Sequence, residues 1–283
     1  MRNFTYWLAN PQPALIASSG FELAVVDHSR DGTLAGAFAA SEVELMQRMP
    51  DGGRRVVLSY LSIGEAEDYR GYWKAEWSKK PPSWLEAENP DWPGNYKVRY
   101  WDPDWQALIF GNPEASLDRI IAAGFDGVYL DIIDAYWYFQ EKGRKSAAAD
   151  MIGFVTALAA YGRKKKPGFL IVPQNAADLL AYPEYLNVID AQGQEDLFYG
   201  LDGPDTPNQK ELVDWPMKHL QLALDAGKPV FLIEYPETRA TVETVYKRGN
   251  EAGLVPYATV RGLERMVINR GLDPDLSGLL LRD

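Results

Sequence analysis

The chain has 283 residues, of which 46% are hydrophobic and 24% are charged, a composition that excludes disordered, collagen-like and coiled-coil proteins. Its 40 acidic residues outnumber 29 basic ones, and the net charge of −11 disfavours nucleic acid or an anionic membrane as partner while suiting a cationic ligand. The lack of cysteine excludes disulfides, thiol nucleophiles and iron–sulfur clusters, and two histidines are too few for a three-histidine metal site.

Short apolar runs typical of buried strands alternate with helix-like segments along the whole chain. The predicted strands cover, in chain order, Phe4–Leu8, Leu23–Val26, Arg55–Leu61, Gly127–Leu130, Phe169–Val172, Leu186–Ile189, Pro229–Ile233 and Val255–Ala258. The predicted helices cover Pro11–Ser18, Ser41–Met49 with Ser41 as its N-cap, Pro113–Ala123, Ala147–Tyr161, Ala176–Tyr182, Asp214–Ala226 and Glu237–Ala252.

This alternation predicts one α/β domain over residues 1–283, a single (β/α)8 TIM barrel. A doubly wound sheet is the alternative, which the lack of a glycine-rich nucleotide-binding motif after any strand disfavours. The stretch Glu67–Asp104, with Trp105 just beyond it, carries six of the nine tryptophans, too many for a solvated linker. We expect a long elaborated loop there, after the third strand, lying over one end of the barrel.

Acidic residues fall where the predicted strands end. Asp27, Glu65, Asp131 and Glu234 follow four strands, and Glu195 lies in the polar loop after Leu186–Ile189. In a (β/α)8 barrel these strand ends converge on the face that carries active sites. Acids gathered there repel one another, which raises some of their pKa values. Two carboxyl groups with separated pKa values are what glycoside hydrolysis requires.

The remaining candidates are side chains suited to sugars. Asp131 closes a buried strand and so needs a partner or a chemical role, whereas Asp134, one helical turn later, could also cap a helix. Aromatic rings near the strand ends could stack on the C–H faces of sugar rings, and amides could bind hydroxyls. The predicted sugar contacts are Asp27, Tyr60, Glu65, Asp134, Tyr136, Asn175, Glu234 and Tyr235.

Four motifs resemble those of glycoside hydrolase family 114, the endo-α-1,4-polygalactosaminidase-like group. They are Ser59–Arg70 with Tyr72-Trp73, Asn95–Asp102, Gly124–Asp131 and Glu195–Tyr199. The resemblance implies a (β/α)8 barrel, no cofactor or metal, and cleavage of α-1,4-linked galactosamine or N-acetylgalactosamine chains, the former cationic. It also implies that Asp131 and Glu195 are the catalytic pair. Asp131 is assigned as nucleophile and Glu195 as general acid/base, with the exchanged roles as the alternative.

Two other functions fit the same residues. One is a carbohydrate-binding barrel without catalysis, and the other is a metal-assisted hydrolase in which Asp27, Glu65 and Asp131 hold a hard cation. No apolar run is long enough to span a membrane, and the first residues lack an apolar signal core. We therefore expect a secreted or periplasmic protein if a leader has been removed, and a cytoplasmic one otherwise.

Overall fold

Parallel strands alternate with helices in a computed structural model of the chain, which describes residues 1–274. The strands of this region are β1 (Phe4–Trp7), β2 (Leu23–Asp27), β3 (Val56–Ser62), β4 (Glu65–Glu67), β5 (Leu85–Glu88), β6 (Asn95–Val98), β7 (Gly127–Asp131), β8 (Leu170–Pro173), β9 (Gln192–Glu195), β10 (Val230–Glu234) and β11 (Val255–Ala258). The helices are α1 (Pro13–Ser18), α2 (Ala40–Gln47), α3 (Pro103–Ile109), α4 (Ser116–Ala122), α5 (Ala135–Glu141), α6 (Ala147–Lys165), α7 (Pro183–Leu186), α8 (Lys210–Asp225) and α9 (Arg239–Glu251), with short 3-10 turns at Ala75–Ser78 and Ala177–Ala181.

Eight parallel strands form two sheets, in the orders β1-β2-β3-β7-β8 and β9-β10-β11. An isolated parallel bridge between Gln174 and Gly193 links the two sheets beyond the end of β8. At the opposite edges, the Thr5 hydroxyl donates to the Tyr257 hydroxyl at 3.0 Å. The α/β class with parallel strands is therefore confirmed. Within residues 1–274 the two sheets adjoin along both edges without one continuous ladder of backbone hydrogen bonds.

Side chains alternate between two faces of each strand, and this alternation decides which strand-end residues meet. Leu58, Tyr129 and Ile233 belong to an inner cluster enclosed by the strands, whereas Val57, Val128 and Leu232 pack outward against the helices. Since successive side chains on a strand point to opposite faces, a residue two positions after an inner one also points inward. The inner positions at the strand ends are therefore Asp27, Tyr60, Asp131, Glu195 and Tyr235.

The prediction of the sixth strand is wrong. Leu186 is the last residue of helix α7, residues 187–189 follow it outside any strand, and the strand is the polar segment Gln192–Glu195. Gly193 is required there because a Cβ atom would lie 1.9 Å from the Tyr129 hydroxyl. The Gln192 amide is buried by donating to the carbonyls of Asn175 and Gly193, both at 2.8 Å. These local hydrogen bonds replace the apolar pattern by which buried strands are recognised.

The N-terminus of α2 also differs from prediction. The helix begins at Ala40, with Ala39 rather than Ser41 as its N-cap. The carboxylate of Glu42 reaches back to the backbone N–H of Ala39 at 2.9 Å. A carboxylate three residues into the helix thus satisfies the free N–H without a hydroxyl at the cap.

The tryptophan-rich stretch contains ordered structure instead of a simple loop. Strands β4, β6 and β5 form a small antiparallel sheet in that order, and helix α3, which was not predicted, follows it. Trp84 and Trp105 are buried in the outer core, and the Trp105 indole donates to the Ile63 carbonyl at 3.0 Å. The hydrogen bond of Trp105 attaches helix α3 to the residue that follows β3. Among the helices of residues 1–274, none combines the length and apolarity needed to cross a bilayer.

Arg55 joins the loops at the amino ends of the strands, opposite the predicted site. Its side chain is fully buried and donates to four backbone carbonyls at 2.6–3.0 Å. Burial lowers the pKa of Arg55 to about 10, which leaves the guanidinium charged at neutral pH. The four acceptors are the carbonyls of Ser19, Phe21, Met46 and Arg48.

We predict that Arg55→Met lowers the free energy of unfolding by about 3–5 kcal/mol, because it leaves buried carbonyls without donors. Urea denaturation would measure the loss. Arg54→Met is the matched control, since the neighbouring Arg54 is 59% exposed in its ion pair with Asp126 and should cost under about 1 kcal/mol. Equal losses for the two variants would contradict a structural role for Arg55.

Candidate active site

A cavity of about 470 Å3 opens at the carboxyl ends of the strands. It is lined by eight of the ten residues predicted for the site, namely Asp27, Tyr60, Glu65, Asp131, Asp134, Asn175, Glu195 and Tyr235. The two residues predicted as catalytic, which are separated by 64 positions in the chain, thus share one cavity.

Asp131 is the last residue of β7 and is held by two hydrogen-bond donors. The Tyr60 hydroxyl donates to Oδ2 at 2.8 Å, and the backbone N–H of Ile132 donates to Oδ1 at 2.7 Å. Ile132 has a φ of 57°, a left-handed conformation that is costly for a β-branched residue. Burial, followed by the negative charge of Glu195, raises the pKa of Asp131 to about 8 although both donors favour its ionised form.

Glu195 ends strand β9 and has donors of its own. The Tyr235 hydroxyl donates to Oε2 at 2.7 Å, and the Asn175 amide donates to Oε1 at 3.3 Å. The side-chain oxygen of Asn175, Oδ1, accepts from the backbone N–H of Glu195 and from the side-chain amide of Gln194, both at 3.2 Å. These two bonds fix the orientation of the Asn175 side-chain amide. Burial raises the pKa of Glu195, and the hydrogen bond from Tyr235 opposes that shift.

The two carboxylates also affect the pKa values of two buried tyrosines, Tyr6 and Tyr129. The rings of Tyr6 and Tyr129 lie 5.3 Å apart, and the hydroxyl of Tyr129 is buried without a hydrogen-bond partner among the described residues. Burial and the negative charges of Asp131 and Glu195 raise the pKa of each phenol, so both stay protonated. The charge of Glu195 also raises the pKa of Asp131, so the two carboxyl groups titrate as an interacting pair.

One wall of the cavity is an ion triad centred on Arg70. Its guanidinium contacts the two oxygens of Asp27 at 2.9 and 2.8 Å and one oxygen of Glu67 at 2.5 Å. All three side chains are at least nine-tenths buried. The Tyr69 hydroxyl donates to the other oxygen of Glu67 at 2.5 Å. The triad therefore fixes Asp27 as a structural anion of the wall.

A second acidic cluster in the cavity consists of Glu65 and Asp134 with one lysine. Oε1 of Glu65 accepts from Lys97 at 3.2 Å and from Asn89 at 2.9 Å, whereas Oε2 is buried without a partner in the described region. Burial and the charge of Glu65 raise the pKa of Asp134 to about 6. The wall of the cavity thus contains a buried carboxylate oxygen without a donor, next to an acid with a raised pKa.

The predicted cation site is not supported. Asp27 is bound to Arg70, Glu65 to Lys97 and Asp131 to Tyr60, so the three acids have separate partners. Over residues 1–274, no group of three or more acids and histidines is arranged to hold a metal ion.

Tyr136 and Glu234, predicted as sugar contacts, do not line this cavity. Tyr136 is buried and donates to Asp178 at 2.6 Å. Glu234 lies two positions after Leu232 and therefore points outward, where Oε1 accepts from the backbone N–H of Phe198 at 2.7 Å. Glu234 was misassigned because adjacent side chains on a strand point to opposite faces, so it faces away from the cavity that its neighbour Tyr235 lines. Tyr136 lies on helix α5, where its contact with Asp178 could not be read from the sequence.

Several cavity residues were missed. Arg261 donates two hydrogen bonds, of 2.9 and 2.7 Å, to the carboxylate of Asp196, and its guanidinium lies 4.3 Å from the centre of the Tyr235 ring. It thereby supports the donor of Glu195 from a turn after the last strand, where no sequence pattern marks it. The other lining residues not singled out include Tyr6, Glu67, Tyr69, Arg70 and Trp92.

The sequence is similar to known families over nearly its whole length. The sequence model of the glycoside-hydrolase family GH114 matches residues 2–272. An uncharacterised protein of Deinococcus radiodurans is 42% identical over 258 residues, which cover 90% of this chain and 78% of that protein. One of Thermotoga maritima is 36% identical over 286 aligned residues, which cover 96% and 85% respectively.

Two solved structures share the fold. The glycoside hydrolase domain of PelA from Pseudomonas aeruginosa has a TM-score of 0.72 at 20% identity, covering 94% of this chain and 97% of that one. Ega3 of Aspergillus fumigatus, solved with galactosamine, has a TM-score of 0.67 at 20% identity, covering 93% and 92%.

We predict that Asp131→Asn stabilises the protein in a pH-dependent way. The folded-state pKa of about 8 lies above the ordinary value of 3.8, so ionising Asp131 disfavours the folded state progressively from about pH 4 to pH 8. The variant lacks this cost. Its free energy of unfolding should match that of the parent near pH 4 and exceed it by about 5 kcal/mol at pH 8, since each pKa unit between the two values is worth about 1.4 kcal/mol, as thermal denaturation across this range would measure. A gap that is largest at pH 4 would contradict the raised pKa.

Proposed function

Since the chain belongs to the glycoside-hydrolase family GH114, we propose that it hydrolyses α-1,4-linked galactosamine or N-acetylgalactosamine in an amino-sugar polysaccharide. The observation that carries the proposal is the carboxyl pair. Asp131 and Glu195 share one cavity, each has its own hydrogen-bond donors, and burial together with the charge of Glu195 raises the pKa of Asp131 to about 8. Glycoside hydrolysis needs one proton donor and one carboxylate.

The charge of the cavity supports an amino sugar as substrate. Seven acidic and three basic side chains line it, and Arg70 and Arg261 are already bound to carboxylates. An ammonium group would be attracted to this excess of negative charge. The galactosamine complex of Ega3, which has the same fold, is consistent with this choice.

We assign a double-displacement mechanism that retains anomeric configuration. In the reactive form of the coupled pair the proton lies on Glu195. Ionised Asp131 then attacks the anomeric carbon while Glu195 gives this proton to the glycosidic oxygen, so the C–O bond to the leaving sugar breaks as a glycosyl ester forms. Glu195, now ionised, then takes a proton from water. The water oxygen bonds to the anomeric carbon, Asp131 leaves as the carboxylate, and both residues regain their starting protonation states.

The hydrogen-bond donors suit these roles. Tyr60 and the Ile132 N–H stabilise the negative charge that returns to Asp131 when the ester is cleaved. Tyr235 and Asn175 stabilise the negative charge on Glu195 after it has given up its proton. The strained backbone at Ile132 fixes the Asp131 carboxylate, so little reorganisation is needed during reaction.

We also propose that the protein acts in the periplasm or outside the cell, because a polysaccharide is too large to enter the cytoplasm readily. Cell fractionation with an activity assay would test this.

The first prediction for this function concerns turnover. Incubation with de-N-acetylated or partly acetylated α-1,4-galactosaminan should release oligomers detectable by mass spectrometry. Asp131→Asn and Glu195→Gln should each lower kcat/KM by about a thousandfold or more without lowering Tm. Glu234→Gln is the matched control, since this buried carboxyl lies outside the cavity, and its kcat/KM should stay within a few-fold of the parent. Polymer binding without release of oligomers by the parent would support a non-catalytic binding barrel instead.

The second prediction concerns stereochemistry and the assignment of roles. With an aryl α-galactosaminide, proton NMR should show the α-anomer of the product first, and a first-formed β-anomer would exclude retention. In Glu195→Ala, azide should restore turnover and give the α-azide, whereas in Asp131→Ala it should give the β-azide. The opposite pair of azide products would exchange the two roles.

A further inference from the structure

Trp92 is an exposed indole at the mouth of the catalytic cavity. Its residue is 57% exposed, yet it lines the cavity together with Tyr69, which is 44% exposed. The other tryptophans in and next to the antiparallel sheet pack against the outer core: Trp73, Trp77, Trp84, Trp101 and Trp105. Trp92 alone among these six therefore offers most of its ring to whatever enters the cavity from outside.

The backbone around Trp92 is held by several hydrogen bonds. Trp92 lies in the turn between β5 and β6, where its N–H donates to the Asn89 carbonyl at 3.2 Å and its carbonyl accepts from Asn95 at 3.0 Å. The turn is also held by Gly94, whose N–H donates to the Glu88 carboxylate at 2.7 Å. A ring presented by an ordered turn loses less conformational entropy on binding than one on a mobile loop.

The turn is coupled to the cavity wall through a buried acid. The Asn89 side chain donates to Oε1 of Glu65 at 2.9 Å, and Glu65 is 1% exposed. Strand β6 also pairs with β4, in which Glu65 lies opposite Lys97. The position of Trp92 is thus set by the same residues that form the acidic wall.

The chemistry of this surface points to a pyranose ring. An exposed indole provides an apolar, polarisable face that matches the C–H face of a sugar ring. Asp68 and Asp91 are exposed on the same turn region, with an Asp68 oxygen near Gly94, and they would attract an amino sugar. A sugar stacked here would lie at the rim, away from Asp131 and Glu195.

We propose that Trp92 forms a separate binding subsite for a sugar residue of a polymer whose scissile bond lies between Asp131 and Glu195. This inference rests on the proposed function, since it assumes that the cavity takes a polysaccharide. In this proposal, Trp92 is the residue that makes the protein bind long chains more tightly than single sugars. The affinity of the protein should therefore rise with chain length, and that rise should depend on Trp92.

Binding of α-1,4-galactosamine oligomers of one to eight units to an inactive Asp131→Asn background, measured by calorimetry, tests the subsite. Trp92→Ala should weaken binding of the longest oligomers by about three- to tenfold and leave galactosamine itself within twofold. Trp92→Phe, which keeps an aromatic face, should recover most of the loss. Trp215→Ala is the matched control, because Trp215 is 47% exposed on α8 but does not line the cavity, and it should bind all lengths as the background does.

Three outcomes would overturn the subsite alone: no effect of Trp92→Ala on long oligomers, an equal loss for the monosaccharide, or the same loss in Trp215→Ala. If the background binds no galactosamine oligomer but binds another polysaccharide, the proposed substrate is wrong and the same variants are compared on that polymer. Failure to bind any polysaccharide would overturn both the subsite and the proposed function.

Discussion

The structure of the site depends on the repulsion between Asp131 and Glu195. Strands β7 and β9 each end on a carboxyl group at an inner position, and the strands enclose both in one cavity. Burial raises the pKa values of both groups, and the charge of Glu195 raises that of Asp131 further, because neither carboxyl group has an ion pair of its own. The donors Tyr60, Tyr235 and Asn175 orient the two carboxyl groups without neutralising them. A site built this way holds an acid and a base ready at neutral pH.

Unlike Asp131 and Glu195, other acids in and around the cavity form ion pairs with basic side chains. Arg70 is shared between Asp27 and Glu67, Lys97 is bound to Glu65, and Arg261 is bound to Asp196. These cations stabilise a negative wall around the pair while leaving Asp131 and Glu195 with only neutral donors. At the opposite end of the strands, Arg55 joins backbone carbonyls of the amino-terminal loops. The ion-paired residues thus stabilise the cavity wall and the amino-terminal loops, whereas Asp131 and Glu195, which have no ion pair, are the two groups proposed to react.

Much of the fold follows from local patterns, because seven of the eight predicted strands are apolar runs buried on both faces and agree with the structure within a residue or two. Strand β9 escaped prediction since Gln192 and Gly193 are buried through hydrogen bonds and close packing with Tyr129, which depend on residues distant in the chain. The predicted position of Glu195 in a loop was therefore wrong, although Glu195 was identified as a candidate. Tyr136 and Glu234 were wrongly assigned to the cavity, because the direction in which each side chain points depends on how helix α5 and strand β10 are oriented in the fold. Arg261 could not be found at all, since its role arises only when the last turn folds over Tyr235.

The coupling between the two carboxyl groups can be measured directly by following the side-chain carboxyl carbon of Asp131 by NMR as pH is varied. The account predicts a titration midpoint near 8 in the parent and a clear downward shift in Glu195→Gln, because that substitution removes the neighbouring negative charge. A midpoint near the ordinary value of 3.8 in both proteins would show that the two groups do not sense each other. The carboxyl pair, and with it the proposed chemistry, would then be contradicted.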